Sequence, residues 1–156
     1  MIFLYTYLKR LTLLLFIYSA SRIYFFINNI NNLNNTKIID FIEGLRFDLS
    51  ALVYINIPLF ILLLLPNKLR TKDSFLKFTN LIFYVVNIPF IILNNIDIEY
   101  FRFTQKRSGI DFLQLLTLAK DTRYIIPQYI KEYWEITLFT IIQIWLLLKI
   151  KYIPKQ

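Results

Sequence analysis

Apolar residues run in four long blocks along this chain, at about 8–27, 46–65, 78–97 and 133–150, and shorter polar stretches separate them. A bilayer core about 30 Å thick takes roughly 20 mostly apolar helical residues to cross, so each block suffices for one transmembrane helix. The second has a single charge, Asp48, between Phe47 and Leu65. A water-soluble chain of 156 residues has no core large enough to hide four such segments. The pattern predicts an all-α fold: a polytopic membrane helix bundle of four transmembrane helices, one domain over 1–156, with an outer segment at 98–132.

Charge orients this bundle. Lys9, Arg10, Lys68, Arg70, Lys72, Lys77, Lys149, Lys151 and Lys155 carry the whole net charge of +8, since Asp73 is the one acid among them and the remaining cations and acids balance. Short connections rich in Lys and Arg stay cytoplasmic. The N-terminus, the 66–77 loop and the C-terminal tail are therefore expected inside, and 28–45 and 98–132 outside. The expected location is a bacterial plasma (inner) membrane, multi-pass, with both termini cytoplasmic. A hydrophobic content of 57% and a mean hydropathy of +0.52 agree with that class.

Local signals fill in the map. Lys9-Arg10, Leu11–Tyr18 and Ser19-Ala20-Ser21 imitate a signal peptide cleaved after Ser21. The apolar run resumes through Ile23–Ile27, which favours an uncleaved anchor. Arg22 falls near the outer end, where it either snorkels to the headgroups or meets an acid on a neighbouring helix. Asn28–Thr36 reads as an external turn, and its Asn34-Asn35-Thr36 sequon carries no functional weight in a chain so rich in Asn. Thr36–Glu43 suits a helix approaching the outer interface, and Gly44 marks a bend or a close helix contact. Pro58 and Pro89 kink the second and third crossings, a packing feature that membrane bundles tolerate. In the outer segment, Ser108-Gly109-Ile110-Asp111 has capping-box spacing before Phe112, Leu115, Leu116 and Ala119, which predicts a short interfacial helix at about 109–120. Tyr124, Tyr129, Tyr133 and Trp134 form an aromatic belt at the last crossing.

Polar residues inside the apolar blocks are the candidate chemistry. Asn80, Asn87 and Asn94 recur every seven residues and extend to Asp97, a stripe suited to interhelical hydrogen bonds. At the outer ends, Arg46 and Asp48 open the second crossing while Asp97, Glu99, Tyr100, Arg102, Lys106 and Arg107 close the third. Residues two apart on a helix point in different directions, so Arg46 and Asp48 each need a partner elsewhere; Arg46 with Asp97 and Asp48 with Arg102 are the expected pairs. Arg22, Arg46, Asp48, Asn94, Asp97, Tyr100, Arg102, Lys106 and Arg107 thus form either a structural network or, through their cations, a contact for anionic lipid headgroups. With no Cys and no His, thiolate chemistry and the commonest base and metal ligand are missing. No catalytic or metal-binding residue is expected in this chain. The basic charge is split among separate positions, which argues against nucleic acid as a partner.

Three stretches resemble a known family: Phe41-Ile42-Glu43-Gly44-Leu45-Arg46-Phe47-Asp48-Leu49-Ser50, Asn94-Asn95-Ile96-Asp97-Ile98-Glu99-Tyr100-Phe101-Arg102-Phe103, and Lys106-Arg107-Ser108-Gly109-Ile110-Asp111-Phe112. Together they look like the membrane half of lipoteichoic acid synthase-type proteins, the sulfatase-like phosphoglycerol transferases of the alkaline phosphatase superfamily, in the form of their Bacteroidetes branch. The resemblance runs over essentially the whole chain; its Gly-Leu-Arg-Phe-Asp and Asp-x-Glu-Tyr-Phe patterns are its more specific parts. It implies an N-terminal bundle of about five transmembrane helices, one more than the four read here, followed by a large extracytoplasmic domain with a Thr nucleophile and a divalent metal, commonly manganese or zinc. That domain would transfer a phosphoglycerol group from a membrane lipid or hydrolyse a phosphate or sulfate ester. On this reading the chain is the anchor portion, truncated before the catalytic domain and inactive alone, with membrane lipids and its missing or separately encoded catalytic domain as partners. The alternative is a self-standing small membrane protein that acts as a scaffold or transport accessory.

Overall fold

The computed structural model describes residues 2–30, 38–70, 72–106, 127 and 130–149, and their regular structure is helical throughout. Helix α1 covers Ile2–Asn28, α2 Ile38–Ile55, α3 Ile57–Leu63, α4 Asn67–Arg70, α5 Asp73–Thr104 and α6 Trp134–Lys149. The expected interfacial helix at 109–120 lies outside the described residues, as do the sequon and the belt residues Tyr124 and Tyr129.

Local chemistry sets the ends. Helix α5 starts after Lys72, which has extended backbone, and Asp73 puts a negative charge on its first turn, where the helix dipole favours one. It stops at Gln105, whose left-handed conformation (φ 54°) lets its N–H reach the Phe101 carbonyl at 2.8 Å. Between α2 and α3 the chain breaks at Asn56. Pro58 has no N–H to give and its ring crowds the carbonyl one turn back, so the helix restarts with the proline in its first turn. Pro89 sits inside α5 without interrupting it.

Side-chain contacts fix how the helices run. Phe26 meets Phe41, Arg22 meets Asp48 and Tyr7 meets Phe60, so α2 and α3 descend as α1 ascends. Arg10 meets Asn80, Ser21 meets Asn95 and Phe25 meets Phe101, which makes α5 parallel to α1. Gln143 reaches Ser21 and Phe139 stacks on Tyr24, so α6 runs back down. The chain therefore passes up, down, up and down. The start of α1, the Leu64–Lys72 turn and the end of α6 share one end of the bundle, and Lys68, Arg70, Lys72 and Lys149 gather there; Asn29, the start of α2 and Gln105 share the other.

The inside is unusually polar and the outside unusually apolar. Tyr7, Leu14, Ile17, Tyr18, Leu52, Leu59, Phe83, Ile91 and Leu147 make the apolar core, but Arg10, Ser21, Asn56, Asn87, Asn95, Glu99 and Gln143 are buried with them. Phe16, Phe47, Tyr54, Leu64, Leu81, Val85, Ile141 and Trp145 meanwhile face outward. Water would not tolerate so continuous an apolar exterior on a monomer.

Four separate crossing helices are not what the fold contains. Among the described residues two helices are long and apolar enough to cross a membrane, Leu4–Asn28 and Asp73–Arg102, and only 22% of each tested window is buried. The expected second crossing at 46–65 is divided at Asn56, and its first part, α2, begins at Ile38 and carries Asp40, Glu43, Arg46 and Asp48. The fourth is described as a helix of only 16 residues. The apolar block at 46–65 contained its own breaker, Pro58, whose effect an average over apolar content does not register.

The tie across the break is a reciprocal amide pair. Asn56 Nδ2 donates to Asn87 Oδ1 at 3.1 Å, and Asn87 Nδ2 donates to Asn56 Oδ1 at 2.9 Å. Each Nδ2 also donates to the carbonyl one turn back in its own helix, Leu52 at 2.9 Å and Phe83 at 2.8 Å. Both residues are fully buried, so cutting one side strands the other amide at about 1–3 kcal/mol. Asn56→Ala and Asn87→Ala are each expected to destabilise the bundle by about that amount, and the N56L/N87L double variant by less than the two single losses added. Unfolding in mixed detergent micelles, followed by tryptophan fluorescence, measures this; full additivity would show that the pair does not act as a unit.

Candidate functional site

The candidate site lies at the end opposite the basic turn, where α1, α2 and α5 converge. Arg22 on α1 reaches across to α2, and its Nη2 stands 2.6 Å from Asp48 Oδ1. The path of that side chain passes over Gly44: a Cβ there would collide with the guanidinium, lying 3.0 Å even from Nε. Gly44 is thus the close contact expected from the sequence, and what approaches it is a side chain. The pair is only partly buried, at 24% and 18% exposed, although Arg22 Nε and Asp48 Oδ2 are sealed from solvent without a hydrogen bond.

Tyr18, Ser21, Arg22, Phe25, Asp48, Asn94, Asp97 and Ile98 line a cavity of about 30 Å³. One water takes up roughly 10–15 Å³, so the space beside the ion pair has room for about two waters.

Beneath it, three helices close a ring of hydrogen bonds. Ser21 Oγ donates to Asn95 Oδ1 at 3.1 Å, Asn95 Nδ2 donates to Gln143 Oε1 at 2.7 Å and to Thr140 Oγ1 at 2.9 Å, and Gln143 Nε2 returns to Ser21 Oγ at 2.9 Å. Gln143 also reaches the Ile17 carbonyl at 3.3 Å. This ring joins α1, α5 and α6. At the basic end, Arg10 donates through Nη2 to Asn80 Oδ1 and lies 4.3 Å from the centroid of the Phe83 ring, a cation–π arrangement.

Several expected partners are different ones. Asp48 pairs with Arg22 and not with Arg102, which instead approaches Glu99 one turn back at 3.8 Å. Arg46 is exposed and makes no ion pair with Asp97 among the described residues. Of the two courses open to Arg22, the structure takes the second: its reach over Gly44 puts it beside an acid on a neighbouring helix, Asp48, and Asp48 therefore does not need Arg102. Arg102 is 59% exposed, and Lys106 is exposed beyond the Gln105 turn, with its N–H and carbonyl both engaged by Thr104 Oγ1. Tyr100 is half-buried and its carbonyl accepts from Thr104 Oγ1 at 2.9 Å. Arg107 lies outside the described residues.

The asparagine stripe splits. Seven residues fall short of two full helical turns by about 20°, so by Asn94 the stripe has drifted to the cavity beside Asp97, and Asn95, on the other flank, bonds α6. Asn95, Ser21, Thr140, Gln143 and Asn56 were not singled out from the sequence. One signal was present: Asn56-Ile57-Pro58 and Asn87-Ile88-Pro89 are the same triplet, and their asparagines pair.

Among the described residues no group of three His, Cys, Asp or Glu side chains could hold a metal ion. The manganese or zinc implied by the resemblance has no donor set in this part of the chain. No protein-family model matches the sequence, and no curated protein or solved structure matches it either.

Gly44→Ala is expected to push the guanidinium off Asp48 and to cost about 1–2 kcal/mol, the lower range for a half-solvated pair. In an Asp48→Asn background the same change should cost far less, because the pairing is already lost. Chemical unfolding of the four variants checks this, and an undiminished Gly44→Ala penalty in D48N would mean that the glycine serves something other than the ion pair.

Proposed function

We propose that this chain is a four-pass anchor of the lipoteichoic acid synthase-like class, which holds an extracytoplasmic phosphotransferase or sulfatase domain at the outer face of a bacterial plasma membrane. One observation carries this reading. Two of the three stretches that carry the resemblance, through Gly44–Asp48 and Asn94–Arg102, lie far apart in sequence, yet they meet around Arg22 at one end of the bundle; the third lies almost wholly outside the described residues. Residues that belong to one family signature for a structural reason should meet in this way.

The up-down-up-down course adds support. It brings the basic turn, the start of α1 and the end of α6 to a single end, as one cytoplasmic face requires, and it leaves an apolar exterior for lipid to solvate. In this arrangement the broken α2–α3 passage crosses as one unit, tied beside the break to α5 by the Asn56–Asn87 amide pair. Arg46, Arg102 and Lys106 stand exposed at the other end, where lipid phosphates would lie. Arg22 has no part in that contact, since Asp48 holds it.

Two measurements test the reading. Reporters inserted after Lys68 and after Lys106 should report the cytoplasm and the exterior respectively, and the tagged chain drawn from membranes in mild detergent should bring with it a domain of the alkaline phosphatase superfamily, fused or separate. Recovery with an unrelated membrane complex alone would instead favour a scaffold or transport accessory. For the headgroup contact, Arg102→Gln with Lys106→Gln should weaken binding to phosphatidylglycerol nanodiscs or vesicles by about fivefold per cation removed, as follows from ~1 kcal/mol for each basic group near an anionic surface. Unchanged binding would reject that role.

A further inference from the structure

We infer that the two Asn-Ile-Pro triplets form a hinge at mid-bundle, about which the inner half of the helical hairpin, residues 57–86, swings as one body away from α1. The triplets sit on neighbouring antiparallel passages and are followed by matching apolar runs, Leu59-Phe60-Ile61-Leu62 and Phe90-Ile91-Ile92-Leu93. Their asparagines carry the same four-bond pattern from both sides, so the passages are related by a local two-fold axis through the amide pair. Sharp bends in helices fall mostly at proline, and here two prolines lie beside the amide pair on opposed passages.

Each triplet weakens its own helix at the depth where the other is weak. Proline removes one backbone hydrogen bond and crowds the preceding turn. That weakness is expressed as an open break at Asn56 and stays latent at Pro89, where α5 runs on. The amide pair spans both weak points and supplies an axis that bending need not break.

What lies on either side of the axis differs. Toward the outer end the passages are clamped: Arg22 holds Asp48, and the Ser21–Asn95–Gln143 ring binds α5 to α1 and α6. Toward the basic end, the hairpin's contacts with α1 include the Tyr7–Phe60 ring contact, the shared apolar core of Leu14, Leu59 and Phe83, and Arg10, on Asn80 and over Phe83. Arg10 is the latch. A buried guanidinium is costly inside a membrane, so releasing the hairpin lets lipid phosphate or water reach Arg10, which offsets the lost contact. The two states then differ by local contacts, as in hinged domains whose hinge is a few residues.

Because the chain has no cysteine, spin labels can be placed at will on the full chain in nanodiscs. Tyr5→Cys with Leu69→Cys reports the basic end, and Ile27→Cys with Ile42→Cys reports the clamped end; all four positions are exposed. Pulsed dipolar spectroscopy should give one narrow distance for the outer pair in every variant. For the inner pair, Arg10→Gln and the milder Asn80→Ala should raise a second, longer distance by about tenfold over the native chain, the factor that ~1.4 kcal/mol carries. Pro58→Ala with Pro89→Ala should remove it. A single inner distance in both latch variants would overturn the hinge, as would a second distance that survives loss of both prolines or a broadening shared by the outer pair.

Discussion

A polar group buried between helices has no solvent to turn to, and at the centre of this bundle the buried amides meet that constraint by bonding across to a neighbouring helix, whereas Asn29, at the end of α1, bonds the Phe25 carbonyl of its own helix. Asn56 and Asn87 satisfy each other across α2–α3 and α5, while Asn95, Gln143 and Ser21 do so across three helices. An amide left alone at such a depth would cost more than the bond it makes contributes. The polar residues are therefore the elements that select one packing. The apolar core of Leu14, Ile17, Leu52, Phe83, Ile91 and Leu147 fills space around them; in the proposed membrane setting it would not fix register, since lipid is as good a solvent for those side chains as another helix is.

The charged end follows the same logic with a different partner. Arg22 and Asp48 bring opposite charges together at a site where both keep some exposure, which lowers the cost of keeping both ionised. Gly44 is what makes the approach possible. A side chain on α1 and a missing side chain on α2 act jointly, so neither residue has a role that can be stated without the other. Arg46, Arg102 and Lys106 remain outside this arrangement and retain their hydration.

The sequence showed helix positions better than helix partners. The apolar blocks at 8–27 and 78–97 fall within α1 and α5, and the polar approach at Thr36–Glu43 anticipated a helix there, though not one continuous with the second crossing. Periodicity within one segment says which residues share a face, and it found Asn80 and Asn87. It does not say which neighbour that face meets. Asn95 was passed over because it breaks the seven-residue spacing, and Gln143 because nothing on its own helix repeats it. The expected Asp48–Arg102 pair failed for the same reason: the choice between Arg22 and Arg102 depends on how closely α1 and α2 approach, which Gly44 determines and a one-dimensional pattern does not express.

An anchor needs one firm end and can accommodate an articulated one. The ion pair, the three-helix ring and the Phe25–Phe101 and Phe26–Phe41 contacts are all on the side of the bundle away from the basic turn. On the basic side, Arg10 joins α1 to Asn80 and Phe83 of α5, and the break at Asn56 lies between the two regions. A load carried at the firm end would be held in register by contacts that do not pass through the break. Motion of the hairpin below it could then proceed without disturbing that load. The unequal distribution of cross-helix bonds, more than the number of crossings, gives the proposed anchor its mechanical sense.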